Sequence, residues 1–193
     1  MHFREFLIVS DNLSKKNHYF NYSVAEYIGR ALWLLAAGLF KCSPKFCFGF
    51  RRMLLRIFGA KIGKGTKIYP SVRIALPWNL EIGAKTCVGE KVNLYNLGKI
   101  QIGNSVTISQ GAHLCGGTHD YTATENAECM PLIKGGIKIS DGVWICADAF
   151  IGPKINIGAF SIVAARAVVT KDIGSEIIVG GNPAKFIKKR ISD

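Results

Sequence analysis

From residue 62 onward an aliphatic side chain returns every six positions. Ile62, Ile68 and Ile74 form one set, Ile82, Val88 and Leu94 a second, and Ile102, Ile108 and Leu114 a third. After a 19-residue interruption, Ile139, Ile145, Ile151, Ile157, Val163 and Val169 follow without a break. The residue after each aliphatic is usually small, as at Gly63, Gly83, Gly103 and Gly158, and only Tyr69 and Tyr95 are large. Four places after the aliphatic stands another small or β-branched residue, such as Thr66, Thr86 or Ser161. A helix of about 3.6 residues per turn cannot produce a period of six, and plain strand alternation does not demand a small residue at every sixth place. Short strands that turn tightly every six residues do both. Three of them close a coil, and the blocks 62–79, 82–99, 102–119, 139–156 and 157–174 are each 18 residues long.

The period predicts an all-β solenoid, a parallel β-helix of about five triangular coils. Three inward ladders follow from it. One runs Ile62, Ile82, Ile102, Ile139, Ile157; the next Ile68, Val88, Ile108, Ile145, Val163; the third Ile74, Leu94, Leu114, Ile151, Val169. A single coil cannot bury such a row, whereas stacked neighbours bury it continuously. Composition agrees, because 23 of the 48 Ile, Leu and Val residues are Ile, which suits a pleated surface. A β-sandwich would instead place turns such as Asn-Gly or Asp-Gly between strands every 8–12 residues or so. Here Asp141-Gly142 lies inside a repeat.

Charge is lopsided. Lys and Arg total 25 against 13 acids, a net +12, and residues 1–61 carry ten of the bases with three acids. Such a balance suits nucleic acid, an anionic membrane or a phosphorylated ligand. Nucleic acid is disfavoured, since the bases are scattered singly except at Arg51–Arg52 and Lys188–Arg190 and no recognition motif accompanies them. Six cysteines form no C-x-x-C pair and no secretory signal precedes them, so a cytoplasmic protein without a disulfide framework is expected. The uncharged run Ala31–Phe40 is too short to span a bilayer. Residues 1–61 read as a helical capping segment, 62–179 as the β-helix with an insertion at 120–138, and 180–193 as a basic tail. Within the first segment, residues 22–40 and 51–58 read as amphipathic helices. They serve to cap the open end of the solenoid, with a peripheral contact to the inner face of the plasma membrane as the added alternative.

Repeats of this form resemble the hexapeptide-repeat acyltransferases. The run ISDGVWICADAFIGPKINIGAFSIVAARAVVTKDIGSEIIVGGNPAKFIKKR is similar to the coenzyme A-binding coils and tail of maltose and galactoside O-acetyltransferases. ISQGAHLCGGTHDY and RRMLLRIFGAKIG look closer still to the colanic acid and exopolysaccharide biosynthesis acetyltransferases, the WcaF type. The resemblance covers residues 48–193. It implies a left-handed parallel β-helix, a homotrimer with sites between subunits, acetyl-CoA as co-substrate and no metal. It also implies O-acetylation of a sugar or lipid-linked saccharide during surface polysaccharide assembly. N-acetylation of an amino sugar is the nearest rival, because the same base serves both.

His119 lies in Gly117-Thr118-His119-Asp120, at the mouth of the insertion. Acyl transfer to a hydroxyl needs a base that titrates near neutrality, as imidazoles generally do. The resemblance assigns His119 that role. Asp120 either orients the ring or caps the loop. Cys115 occupies the small position after Leu114, so an acyl-cysteine intermediate is disfavoured. By resemblance, Ala147 and Ala165 contact the pantetheine arm, with Trp144 beside the groove. Thr170, Lys171, Lys185 and Lys188 then lie toward the phosphates, and Arg166 stands where the maltose type has a small residue. Asn93 and Asn96 are candidate acceptor contacts, and Glu125 and Glu128 of the insertion are weaker ones. Zinc β-helix hydrolyases hold their metal through three histidines. Only His113 and His119 lie in the repeats here, so a zinc hydrolyase and a non-catalytic scaffold are the lesser readings.

Overall fold

A computed structural model describes residues 23–120, 122 and 131–190. Expectations for residues 1–22, Glu125 and Glu128 lie outside the described residues. Two helices come first, α1 (Val24–Cys42) and α2 (Phe48–Ile57). The first coil is β1 (Lys61–Ile62), β2 (Lys67–Ile68) and β3 (Arg73–Ile74); the second is β4 (Leu80–Ile82), β5 (Cys87–Val88) and β6 (Asn93–Tyr95). The third is β7 (Ile100–Ile102), β8 (Thr107–Ile108) and β9 (His113–Cys115). A hairpin of β10 (Gly117–His119) and β11 (Leu132–Lys134) then leaves the prism. The fourth coil is β12 (Ile137–Ile139), β13 (Trp144–Ile145) and β14 (Phe150–Ile151); the fifth is β15 (Asn156–Ile157), β16 (Ile162–Val163) and β17 (Val168–Val169). A partial sixth turn adds Ile173, bridged to Ile157, then β18 (Ile177–Gly180), against which β19 (Lys185–Lys189) folds back antiparallel.

Three parallel sheets result, ordered β1-β4-β7-β12-β15, β2-β5-β8-β13-β16-β18-β19 and β3-β6-β9-β14-β17. All three ladders expected from the period are present in register. Ile82 pairs with Ile62 and Ile102, Ile145 with Ile108 and Val163, and Leu94 with Ile74 and Leu114. Their side chains fill one continuous core. The small residues have a steric reason. A Cβ on Gly83 would lie 2.5 Å from the carbonyl carbon of Gly103, because the corner after the first sheet stacks backbone on backbone. The fully buried Thr66, Thr86 and Ser161 donate their hydroxyls to Gly83, Gly103 and Gly174 carbonyls at 2.6–2.8 Å. They satisfy corner groups that the ladders leave unpaired.

The open end of the first coil presents carbonyls that have no preceding strand to bond them. Three arginines of α2 take that place. Arg51 Nε donates to Ile68 O at 2.6 Å, Arg52 Nη1 to Thr66 O at 2.8 Å and Arg56 Nη2 to Ile62 O at 2.5 Å. Arg51 is fully buried and also donates to Ser43 Oγ, Pro44 O and Lys45 O. The basic character of α2 is thus used in capping. Helix α1 lays Trp33, Ala36 and Phe40 on the core and leaves Leu34, Leu35 and Leu39 exposed. No helix among the described residues is long and apolar enough to cross a membrane.

The excursion expected at 120–138 has a paired stem, and residues 137–139 already belong to the first sheet. Residues 185–189, read as part of a tail, form an edge strand. The five described cysteines are free, and Cys42 is exposed.

Candidate active site

After Cys115 the chain leaves the prism along β10 and comes back to it along β11. Glycines permit the exit, since a Cβ on Gly98 would lie 2.6 Å from the carbonyl carbon of Gly135 and one on Gly116 would lie 3.0 Å from Tyr95 O. Gly117 then pairs with Lys134, Thr118 with Ile133 and His119 with Leu132. His119 is thereby held, exposed, on a two-stranded ribbon outside the core. Asp120 N donates to Pro131 O at 2.8 Å, and Asp120 Oδ1 accepts from Thr122 N at 3.0 Å and Thr122 Oγ1 at 2.6 Å. These bonds tie Asp120 into the turn that follows His119. Cys115 Sγ donates to Gly117 O at 3.1 Å, so the thiol is part of the bend that launches the arm.

On the outer face of the third sheet, Arg73, Asn93, His113 and Phe150 stand in adjacent registers. Asn93 Nδ2 lies 3.3 Å from His113 Nε2, a hydrogen bond when that nitrogen is bare. Burial pulls the His113 imidazole below its ordinary value, which favours the bare nitrogen. Tyr95 and Phe150 meet its ring edge-on at 6.5 and 5.3 Å. His113 therefore orients Asn93, a role its position as an outward residue of the repeat did not signal. Asn96 differs from expectation. It is 0% exposed, its Oδ1 accepts from Ala75 N and Leu76 N, and its Nδ2 donates to Leu76 O. An amide so committed to backbone holds two coils together and cannot reach an acceptor.

Ala147 and Ala165 occupy the same corner, between the second and third sheets, one coil apart, and Arg166 N donates to Ala147 O at 2.9 Å. Arg166 takes this corner at φ +58°, in the left-handed region that favours glycine. The corner ends at Gly181, whose carbonyl accepts from Val168 N, and leads directly into β19 with Lys185 and Lys188 exposed. Trp144, on the second sheet, is 46% exposed with its Nε1 donated to Ser109 Oγ at 3.0 Å. Thr170 and Lys171 lie on the next corner, after the third sheet, as does the base of the arm. Within one chain, His119 and the Ala147–Ala165 corner are thus separated by the width of the third sheet. Among the described residues, no three of His, Cys, Asp or Glu converge as metal ligands.

No family model matches the chain. It is similar to an Escherichia coli K12 protein named for an acetyltransferase of colanic acid biosynthesis, WcaF, with 39% identity over 160 residues, 82% of this chain and 85% of that one. Two solved structures share the fold. A maltose O-acetyltransferase from Clostridium difficile 630 superposes over 100% of this chain and 99% of its own with TM-score 0.81 and 24% identity. A hexapeptide-repeat acetyltransferase from Vibrio cholerae, solved with acetyl-CoA, covers 100% of both chains with TM-score 0.81 and 22% identity.

Proposed function

The chain belongs to the hexapeptide-repeat acetyltransferases, and we propose that it moves the acetyl group of acetyl-CoA onto a sugar hydroxyl during exopolysaccharide or surface polysaccharide assembly. The observation that carries this is the exposed imidazole of His119, held on a ribbon fixed by the pairs Gly117–Lys134, Thr118–Ile133 and His119–Leu132 and by the Asp120 N to Pro131 O bond. The named role of WcaF supplies the polysaccharide context.

His119 takes the proton of the attacking hydroxyl as its oxygen bonds to the thioester carbonyl carbon. The carbon–sulfur bond then breaks, and the imidazolium returns its proton to the departing thiolate. Asn93, steadied by His113, is placed to accept or donate a hydrogen bond to the sugar. Asp120 shapes the turn behind His119. The stacked Ala147 and Ala165 leave a corner free of bulk for the pantetheine arm, flanked by Trp144. Thr170, Lys171, Lys185 and Lys188 offer hydroxyl and ammonium donors to its phosphates. Direct transfer is the simpler route, since the Cys115 thiol is engaged with the Gly117 carbonyl in the bend that launches the arm.

His119 and the alanine corner lie on different corners of one prism, so the complete site forms between subunits. A closed homotrimer satisfies this, since each interface joins one subunit's arm to the next subunit's corner. The cytoplasm, with a peripheral contact at the inner face of the plasma membrane as the added alternative, is where the polysaccharide context of WcaF would put such an enzyme.

The test is a screen of saccharide acceptors with acetyl-CoA, comparing wild type with His119→Ala and mapping the product. Removal of a general base lowers the rate by about 10²–10⁴-fold. Activity of the variant above about a tenth of wild type, or an amide product, would overturn the reading.

A further inference from the structure

Two cavities at the helical end of the prism meet at Lys41 and Arg73. The first, about 480 Å³, lies between α1 and the first coil, walled by Trp33, Leu34, Ala37, Phe40 and Val72. Arg30, Lys41 and Arg73 line it as well, so apolar side chains share its wall with three bases, and the Trp33 indole N–H is already donated to Ile74 O at 2.8 Å. Leu34 at its rim is 76% exposed, and Leu35 and Leu39 carry the apolar face onward to solvent. The second, about 620 Å³, is lined by Lys41, Ser71, Arg73, Lys91 and Asn93 together with Pro70, and contains no acid. Both volumes lie in the range of sites for small ligands, about 300–1,000 Å³.

Part of the positive charge here is uncommitted. From Tyr27 to Leu80 there are ten Lys and Arg and no Asp or Glu. Arg51, Arg52 and Arg56 cap carbonyls, while Lys45 and Lys61 pair with Glu90 and Glu81. Lys41, Arg73 and Lys91 have no ion pair among the described residues. The acid beside Lys91 is Glu90, which Lys45 Nζ holds at 2.8 Å. Three free cations on one cavity are a site for a phosphate or diphosphate.

The order of groups along the prism is informative. The cavity under α1, Arg73, Asn93 and His113 succeed one another, the last three in adjacent strands spaced about 4.8 Å apart. The arm bearing His119 departs from the same coil as His113. We infer that the joined cavities bind the carrier end of a lipid-linked saccharide, its diphosphate between Lys41, Arg73 and Lys91, its first hydrocarbon units against α1, and its sugar leading past Asn93 toward the arm. A nucleotide carrier shares the diphosphate but brings a polar base, whereas the wall of Trp33, Leu34, Ala37, Phe40 and Val72 suits hydrocarbon. This assignment rests on the acetyltransferase reading only for the direction of the sugar, and the diphosphate site stands without it.

Tryptophan fluorescence and calorimetry on the full chain test it, with farnesyl diphosphate as probe and farnesol, inorganic diphosphate and uridine diphosphate as comparison arms. Farnesyl diphosphate is expected to bind at least about tenfold tighter than each of the others, because it alone fills both cavities. The double variant Arg73→Ala/Lys91→Ala is expected to weaken it by about 10–100-fold, the size of losing two charge-assisted contacts, without changing farnesol binding. Leu34→Asp, at an exposed rim position, is expected to weaken farnesyl diphosphate but not inorganic diphosphate. An unchanged affinity in the double variant would overturn the phosphate site. Uridine diphosphate binding as tightly as farnesyl diphosphate would overturn the lipid assignment. Coenzyme A binding is followed on the same samples. Its failure in wild type would remove the acetyltransferase reading while leaving the diphosphate result intact.

Discussion

Replacing Glu81 with glutamine removes one negative charge from the outer face of the first sheet and almost no volume. In the native protein its Oε1 lies 2.8 Å from Lys61 Nζ and 3.1 Å from Lys99 Nζ, and its Oε2 accepts from Gln101 Nε2 at 2.9 Å. Burial pushes this carboxyl up, but the bonds from Lys61, Gln101 and Lys99 outweigh it and hold the group at about 2, against an ordinary value of 4.5. A carboxyl held that low favours the folded state by about 3 kcal/mol at neutral pH if the whole difference counts. The two lysines are substantially exposed and solvent screens them, which brings the expected loss in Glu81→Gln to about 2 kcal/mol. For a chain of this length that is a fall in Tm of roughly 4–8 °C. Because the folded value is depressed, the contribution is complete above pH 4.5 and disappears as pH falls through about 2. Thermal unfolding followed by circular dichroism at pH 7 and pH 3 reads both effects, and the gap between variant and wild type should shrink at pH 3 to less than half its value at pH 7. A gap of under about 1 °C at pH 7, or one equal at both pH values, would refute the assignment of this cluster as stabilising.

Asn96→Ala should cost about 2–4 kcal/mol by orphaning the backbone groups of Ala75 and Leu76, yet leave the acceptor KM unchanged below its melting temperature; Asn93→Ala should do the reverse, raising KM with little change in Tm. Cys115→Ala should keep kcat/KM within about twofold of wild type, and a loss beyond about 100-fold would restore the acyl-cysteine route. Light scattering should give three times the 21.1 kDa chain mass, and His119→Ala subunits co-refolded with Ala165→Trp subunits should regain activity at interfaces that join two intact halves. A fully active particle of 21.1 kDa would refute the shared site.

Much of the molecule was legible because a solenoid is nearly one-dimensional. Ile82 owes its burial to Ile62 below and Ile102 above, and those partners stand at a fixed offset in the chain. A six-residue period therefore suffices to predict which side chains face inward, how the strands register and where corners require a glycine or a small residue. The interruption after His119 was likewise visible, whereas the role proposed for its imidazole came from the family resemblance. What breaks the translational repeat was not legible. The carbonyl edge of the first coil has no preceding repeat, and only the folded chain brings Arg51, Arg52 and Arg56 across it. Asn96 turns inward at a corner where its amide replaces ladder bonds to Ala75 and Leu76, a three-dimensional circumstance that its neighbours in sequence do not reveal. The insertion closes as a hairpin because two glycine-lined backbones can pass within contact distance of each other. Lys41, Arg73 and Lys91 come from a helix end and two successive coils, so their charges add only where the cap docks on the prism. Ladder contacts recur with the chain's own period and can be read from it; contacts at an end, a corner or a dock depend on where separate segments meet, and the tertiary structure alone decides them.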